Sequence, residues 1–79
     1  MRLDKFLKVS RMIKRRTIAN EACDAGRVSV NGKAVKASYD VKEGDVIAIR
    51  LGERTVQAEV LRVMDTARKE EAGEMIKYL

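Results

Sequence analysis

An α+β fold follows from three features of this 79-residue sequence. Apolar residues recur at helical spacing from Arg2 to Ala25, the period changes to alternation after Gly26, and the Glu-, Ala- and Lys-rich end returns to helical spacing. The order predicts two N-terminal helices, a small antiparallel sheet and a C-terminal helix.

In the first helix Leu3, Phe6, Leu7, Ser10 and Ile13 share one buried face, with Val9 beside them. Lys5, Lys8 and Arg11 project from the other side. Arg2 and Lys14 flank the apolar stripe, where their stems can lie on the core while the charges reach water. Asp4 suits the positive end of the helix dipole. Lys14-Arg15-Arg16 reads as the turn into a second helix capped by Thr17, with Ile18, Ala22 and Ala25 as its apolar edge and Gly26 as its stop. This elbow sets three cations beside the first N–H groups of a helix, a favourable seat for phosphate oxygens.

Val28 and Val30 alternate with Ser29, and Asn31-Gly32 is a strong two-residue hairpin signal leading to a return strand at Ala34-Val35. A loop through Tyr39 and a turn at Lys42 to Asp45 precede a buried strand over Val46 to Leu51. Gly52-Glu53 turns again into a longer strand, Thr55 to Val63, with Val56, Ala58, Val60 and Arg62 on one face. Thr66 to Leu79 reads as a helix with Ala72, Met75, Ile76 and Leu79 inward, weakened by Gly73.

Length and composition describe one small folded domain, residues 1–79, with 46% hydrophobic and 37% charged residues. The apolar runs are too short to span a bilayer, and charges interrupt any secretory-signal pattern, so a cytoplasmic protein is expected. Cys23 is the single cysteine and histidine is absent, so a zinc site of the Cys/His kind and an internal disulfide are excluded. With Ala22 and Ala25 nearby, Cys23 reads as a small apolar helix contact. No nucleophile and base pair up, and no Gly-rich loop cradles phosphate, so no enzyme, catalytic residue or cofactor is expected.

Charge is the strongest functional signal. Arg2 to Lys36 holds ten Lys or Arg against three acids, a net of +7, while Ala37 to Leu79 carries a net of −2. So uneven a distribution points to a polyanionic partner, nucleic acid first. The aromatic residues are only Phe6, Tyr39 and Tyr78, and Phe6 belongs to the core, so no base-stacking platform is available. Recognition is expected to rest on phosphates and on the shape of folded RNA, weakening steeply with salt.

Arg2-Leu3-Asp4-x-x-Leu7, the basic turn with Arg16 followed by Ala19, Gly26-x-Val28-x-Val30-Asn31-Gly32 and Val41-x-x-Gly44-Asp45-x-Ile47 together resemble the RNA-binding domain named after small-subunit ribosomal protein four, from Arg2 to about Leu51. Its stand-alone branches, heat-shock protein fifteen and the shorter RqcP branch of bacterial ribosome-associated quality control, are nearest in length, and the opening residues, Lys14-Arg15-Arg16-Thr17 and Lys69 to Ala72 look more like the latter. The resemblance implies an αL fold, two helices on a small bent antiparallel sheet, with RNA against the helix pair and first hairpin. It gives Arg2 and Arg16 as phosphate contacts, supported by Lys5, Lys14, Arg15, Arg27 and Lys33, and Lys8 and Arg11 on the outer helix face complete the expected RNA-binding set. Asn31 and Gly32 take a conformational role. Two departures, Arg15 for a capping Ser or Thr and Ala37-Ser38 for Pro-Ser, remove no phosphate contact. The implied partners are large-subunit rRNA, peptidyl-tRNA and a tailing factor on the same subunit, met by a monomer.

Two other readings stand beside this one. In the first, heat-shock-protein-fifteen-like recycling, the domain binds free large subunits carrying nascent chains. The second is a helix-turn-helix DNA module, whose second helix would have mainly Asn20 and Glu21 to offer base edges. Changing Arg2 and Arg16 together to Ala is expected to release the protein from large subunits with little change in thermal stability.

Overall fold

The computed structural model describes residues 1–65 and 68–79. Helices α1 (Leu3–Val9) and α2 (Arg16–Asp24) pack together on one face of a five-stranded antiparallel sheet. The strands β1 (Val28–Val30), β2 (Lys33–Ala34), β3 (Val46–Leu51), β4 (Arg54–Val60) and β5 (Ile76–Tyr78) run in the spatial order β2-β1-β3-β4-β5, and a single turn, α3 (Lys69–Ala72), precedes β5.

The predicted face of α1 is the core face. Leu3, Phe6 and Leu7 are fully buried and meet Ala19 and Cys23 of α2 and Val28, Ile47, Ile49, Ala58 and Val60 of the sheet. Cross-strand partners share a face, so Val30 opposite Ile47 and Val28 opposite Ile49 line up their apolar sides under the helices. Burying these aliphatic and aromatic side chains supplies most of the stability of so small a unit.

Helix α1 is shorter than its apolar period. It stops at Val9 because Ser10 turns out of the helix, its hydroxyl donating to the Leu7 carbonyl at 3.3 Å, and Arg11 takes the left-handed conformation with φ of 63°. The first N–H groups of α1 are satisfied from far along the chain: those of Leu3 and Asp4 donate to the carbonyls of Tyr39 and Ala37 at 2.8 and 3.1 Å.

Helix α2 begins one residue before the expected cap. Arg15 is the N-cap, with no side-chain cap hydrogen bond, and Thr17 lies inside the first turn. The apolar edge is also displaced: Ala19 and Cys23 are buried, while Ile18 is 49% exposed and Ala25 lies at the surface. Two small residues one turn apart let α2 approach α1 closely, which a buried Ile18 would prevent.

The hairpin turn forms as predicted, but the return strand is Lys33–Ala34 rather than Ala34-Val35. Asn31 and Gly32 have φ of 53° and 85°, the paired positive values of a type I′ turn. Asn31 does more than turn the chain, because its amide oxygen accepts from the Val46 N–H at 3.0 Å and its amide nitrogen donates to Asp45 at 3.1 Å. Asp45 also accepts from the Tyr39 hydroxyl and the Lys42 N–H, both at 3.0 Å. Burial pushes the Asp45 carboxyl up, but these hydrogen bonds outweigh it and hold its pKa below the ordinary value. Asp45→Ala should therefore cost about 2 kcal/mol, the loss of three partners at one buried site, measured by urea unfolding.

The C-terminal helix over Thr66 to Leu79 is corrected. Residues 66 and 67 lie outside the described residues; helix is present only over Lys69–Ala72, and Ile76–Tyr78 is a strand. The predicted inward residues Ala72, Met75 and Ile76 are buried, but Leu79 is exposed. Pairing with β4, with Ile76 opposite Val60 and Tyr78 opposite Ala58, gives this segment a cross-strand partner that local spacing could not reveal. The preceding strand ends at Val60 rather than Val63, and Arg62, beyond it, is exposed and pairs with Glu74 at 3.3 Å.

Candidate nucleic-acid interface

The loop between α1 and α2 brings residues from both sides of the basic elbow around one concavity of about 770 Å³, lined by Lys5, Lys8, Val9, Arg11, Lys14, Arg16 and Asp65. Lys5 and Lys8 come from the outer face of α1, Arg11 and Lys14 from the loop, and Arg16 from the first turn of α2. The left-handed backbone of Arg11 is what folds that loop back. An arginine there costs about 1 kcal/mol relative to glycine, so its presence in the groove is not explained by backbone preference.

Five of the predicted contact residues thus share one groove. Arg15 is exposed at the α2 N-cap but does not line it. Arg27, in the link to β1, and Lys33, on the far strand β2, lie outside it as well. Asp65, which the sequence did not single out, stands on the rim 3.6 Å from the Lys5 ammonium.

Arg2 and Arg16 are held by Asp4, a carboxylate only 4% exposed beneath them. Its Oδ1 accepts from Arg2 Nε at 3.2 Å, Arg16 Nη2 at 3.4 Å and the Lys5 N–H at 2.8 Å, and its Oδ2 from Arg2 Nη2 and Asn20 Nδ2, both at 3.3 Å. Burial pushes the Asp4 carboxyl up, but Arg2, Asn20, Arg16 and the Lys5 N–H together pull it down to about 2. Asp4 is therefore an anchor more than a dipole partner. Two guanidiniums sharing one anion keep a net positive charge, and each remains about half exposed, at 52% and 47%.

This arrangement overturns the expectation that removing Arg2 and Arg16 together leaves stability untouched, since the double change strips a buried carboxylate of both cations. The side chains that can be changed without that penalty are Lys8, Arg11 and Lys14, none of which pairs with an acid among the described residues.

Cys23 packs beneath this region. Burial, then the charges of Asp4 and Asp24, push its thiol up to about 11, so it stays protonated and serves packing, as its neighbours suggested. Among the described residues no group of three or more potential ligands is placed to hold a metal ion, and no helix is long and apolar enough to cross a membrane.

A family model described as the S4 domain matches residues 1–47, the helix pair, the hairpin and the start of β3. Over its whole length the chain is 56% identical to the RQC P-site tRNA stabilizing factor of Bacillus subtilis (strain 168), of which it covers 92%. It is 48% identical, again over its whole length, to the protein of that name from Streptococcus pneumoniae, covering 90% of it. Among solved structures, the trimeric Heat Shock Protein 15 of Vibrio cholerae superposes with a TM-score of 0.91 at 30% identity, over all of this chain and 81% of that one. The chain belongs to the S4 domain family.

Proposed function

We propose that this protein is a non-enzymatic RNA-binding factor that sits on large ribosomal subunits carrying peptidyl-tRNA. It touches rRNA and tRNA there and stabilises the P-site tRNA while stalled chains receive a C-terminal alanine tail in ribosome-associated quality control. The observation that carries this reading is the groove of Lys5, Lys8, Arg11, Lys14 and Arg16 on a helix pair anchored by Asp4, in a chain whose full-length relatives bear the name P-site tRNA stabilizing factor. Cations fixed on a rigid frame favour one placement of a phosphate backbone, and a factor stabilises one tRNA position only by binding it more tightly than the others.

The whole unit, residues 1–79, acts as one RNA-binding domain. Arg2 extends the groove's charge across the Asp4 anchor, while Arg15, Arg27 and Lys33 offer further cations to a second RNA surface. The factor works in the cytoplasm as a monomer, beside a tailing factor on the same subunit. Recycling of free subunits, as in the heat-shock-protein-fifteen reading, is the second possibility, favoured by the Vibrio cholerae superposition but not by sequence, since the chain is 30% identical to that protein and 56% identical to the Bacillus subtilis one.

The test is to add the purified protein to large subunits with and without peptidyl-tRNA. Binding should be tighter by about tenfold or more when the tRNA is present, and the tRNA should leave more slowly. Equal binding to vacant subunits with no effect on tRNA release would overturn the reading.

A further inference from the structure

Arg16 is the wall between two concavities. One is the basic groove; the other, about 400 Å³, is lined by Asp4, Arg16, Thr17, Asn20 and Glu21. The second has a different chemistry. Asp4 is already saturated by its donors, so the groups left to meet a ligand are the Asn20 amide oxygen, the Thr17 hydroxyl and the Glu21 carboxylate. The orientation of Asn20 is not free. Its Nδ2 lies 3.3 Å from Asp4 Oδ2, and a carboxylate requires a donor, so Oδ1 must turn away from Asp4; among the described residues nothing donates to it. The Arg16 guanidinium and the Asn20 amide grip the two oxygens of one carboxylate, so a fixed cation and a fixed acceptor lie side by side within the span of one nucleotide.

The geometry points to a ribose subsite: with a phosphate on Arg16, the Asn20 amide oxygen accepts a hydrogen bond from the 2′-hydroxyl of the same nucleotide, which makes Asn20 a residue that distinguishes RNA from DNA. A phosphate cannot take this place, because Glu21 beside it repels a second anion. The 2′-hydroxyl is the one donor that every RNA nucleotide carries next to its phosphate and every DNA nucleotide lacks. The inference rests on the RNA-binding reading above and adds that the second pocket reads the sugar.

The experiment uses the full chain with one short stem-loop in three forms: RNA, DNA, and RNA carrying 2′-fluoro at one position at a time, which keeps the ribose pucker but removes the donor. Wild type should bind the RNA more tightly than the DNA. At one position 2′-fluoro should cost about three- to tenfold, the worth of one hydrogen bond. Asn20→Ala should abolish that positional loss and weaken RNA binding by more than DNA binding. Equal weakening for RNA and DNA in Asn20→Ala would reduce Asn20 to a support for Asp4, and no sensitive position in wild type would remove the subsite without the mutant being needed. Failure of wild type to bind either stem-loop would instead count against the RNA-binding reading itself.

Discussion

Combining Lys8→Ala, Arg11→Gly and Lys14→Ala should weaken binding to structured RNA by on the order of a hundredfold near physiological salt, and reduce the slope of log K against log salt by about two. Each of these side chains lines the groove, and none pairs with an acid among the described residues, so its charge is available to phosphate. The loss should be similar for RNAs of different sequence, because phosphate contacts position a chain without reading it. Stability should move the other way. Lys8 and Lys14 are exposed, and glycine at position 11 relieves the left-handed backbone, a gain of up to about 1 kcal/mol, or about 4–8 °C in Tm. A variant that melts no lower and binds poorly is the expected outcome of calorimetry and filter binding together. Unchanged salt dependence would show that the groove does not hold the phosphates.

Asp4→Ala is expected to be the most destabilising change near the interface, by about 2–3 kcal/mol in urea unfolding. It leaves the Lys5 N–H and the Asn20 amide without their acceptor and frees two guanidiniums that shared one carboxylate. Asp4→Asn keeps the volume and one acceptor and should cost about half as much. The pH dependence has a definite sign. A carboxyl whose folded pKa is lowered to about 2 contributes stability that is complete above its unfolded pKa of about 4 and is lost as pH falls through about 2. The shift corresponds to about 2 kcal/mol, less after solvent screening of the half-exposed arginines. Wild type should lose this contribution between about pH 4 and pH 2, whereas Asp4→Asn should show a flatter profile across the same window. Parallel profiles would mean that Asp4 is not the anchor described.

The sequence made the helix pair, the type I′ hairpin and the cation groove legible because each rests on local spacing. Leu3, Phe6 and Leu7 mark one face of a helix, Asn31-Gly32 needs only its own backbone, and Lys5 and Lys8 lie opposite the apolar stripe, while Arg11, expected on that same helix face, reaches the groove from the loop beyond Val9. The role of Asp4 is hidden in the sequence because its partners Arg16 and Asn20 reach it only once α2 folds back on α1, and a lone acid among bases looks like a dipole effect. The clue was the short Arg2-x-Asp4 spacing, which puts a cation and an anion within reach across the helix start. The end of the chain departs from its local pattern for a related reason. Glu, Ala and Lys favour helix, but Ile76–Tyr78 pairs with β4 while Met75 and Ile76 are buried, and that partner is visible only in three dimensions. Residue type alone favours Thr17 as the cap, whereas the backbone leaves the helical region at Arg15.

The tie between the start of α1 and the carbonyls of Ala37 and Tyr39 bears on how the molecule is made. During synthesis the first helix leaves the exit tunnel with its leading N–H groups unsatisfied, and it is too short to persist alone. Its acceptors are translated some thirty-five residues later. The nascent chain therefore stays without an assembled groove until the loop before β3 has emerged, so a product truncated ahead of Tyr39 would carry all five of the groove's cations with no frame to aim them.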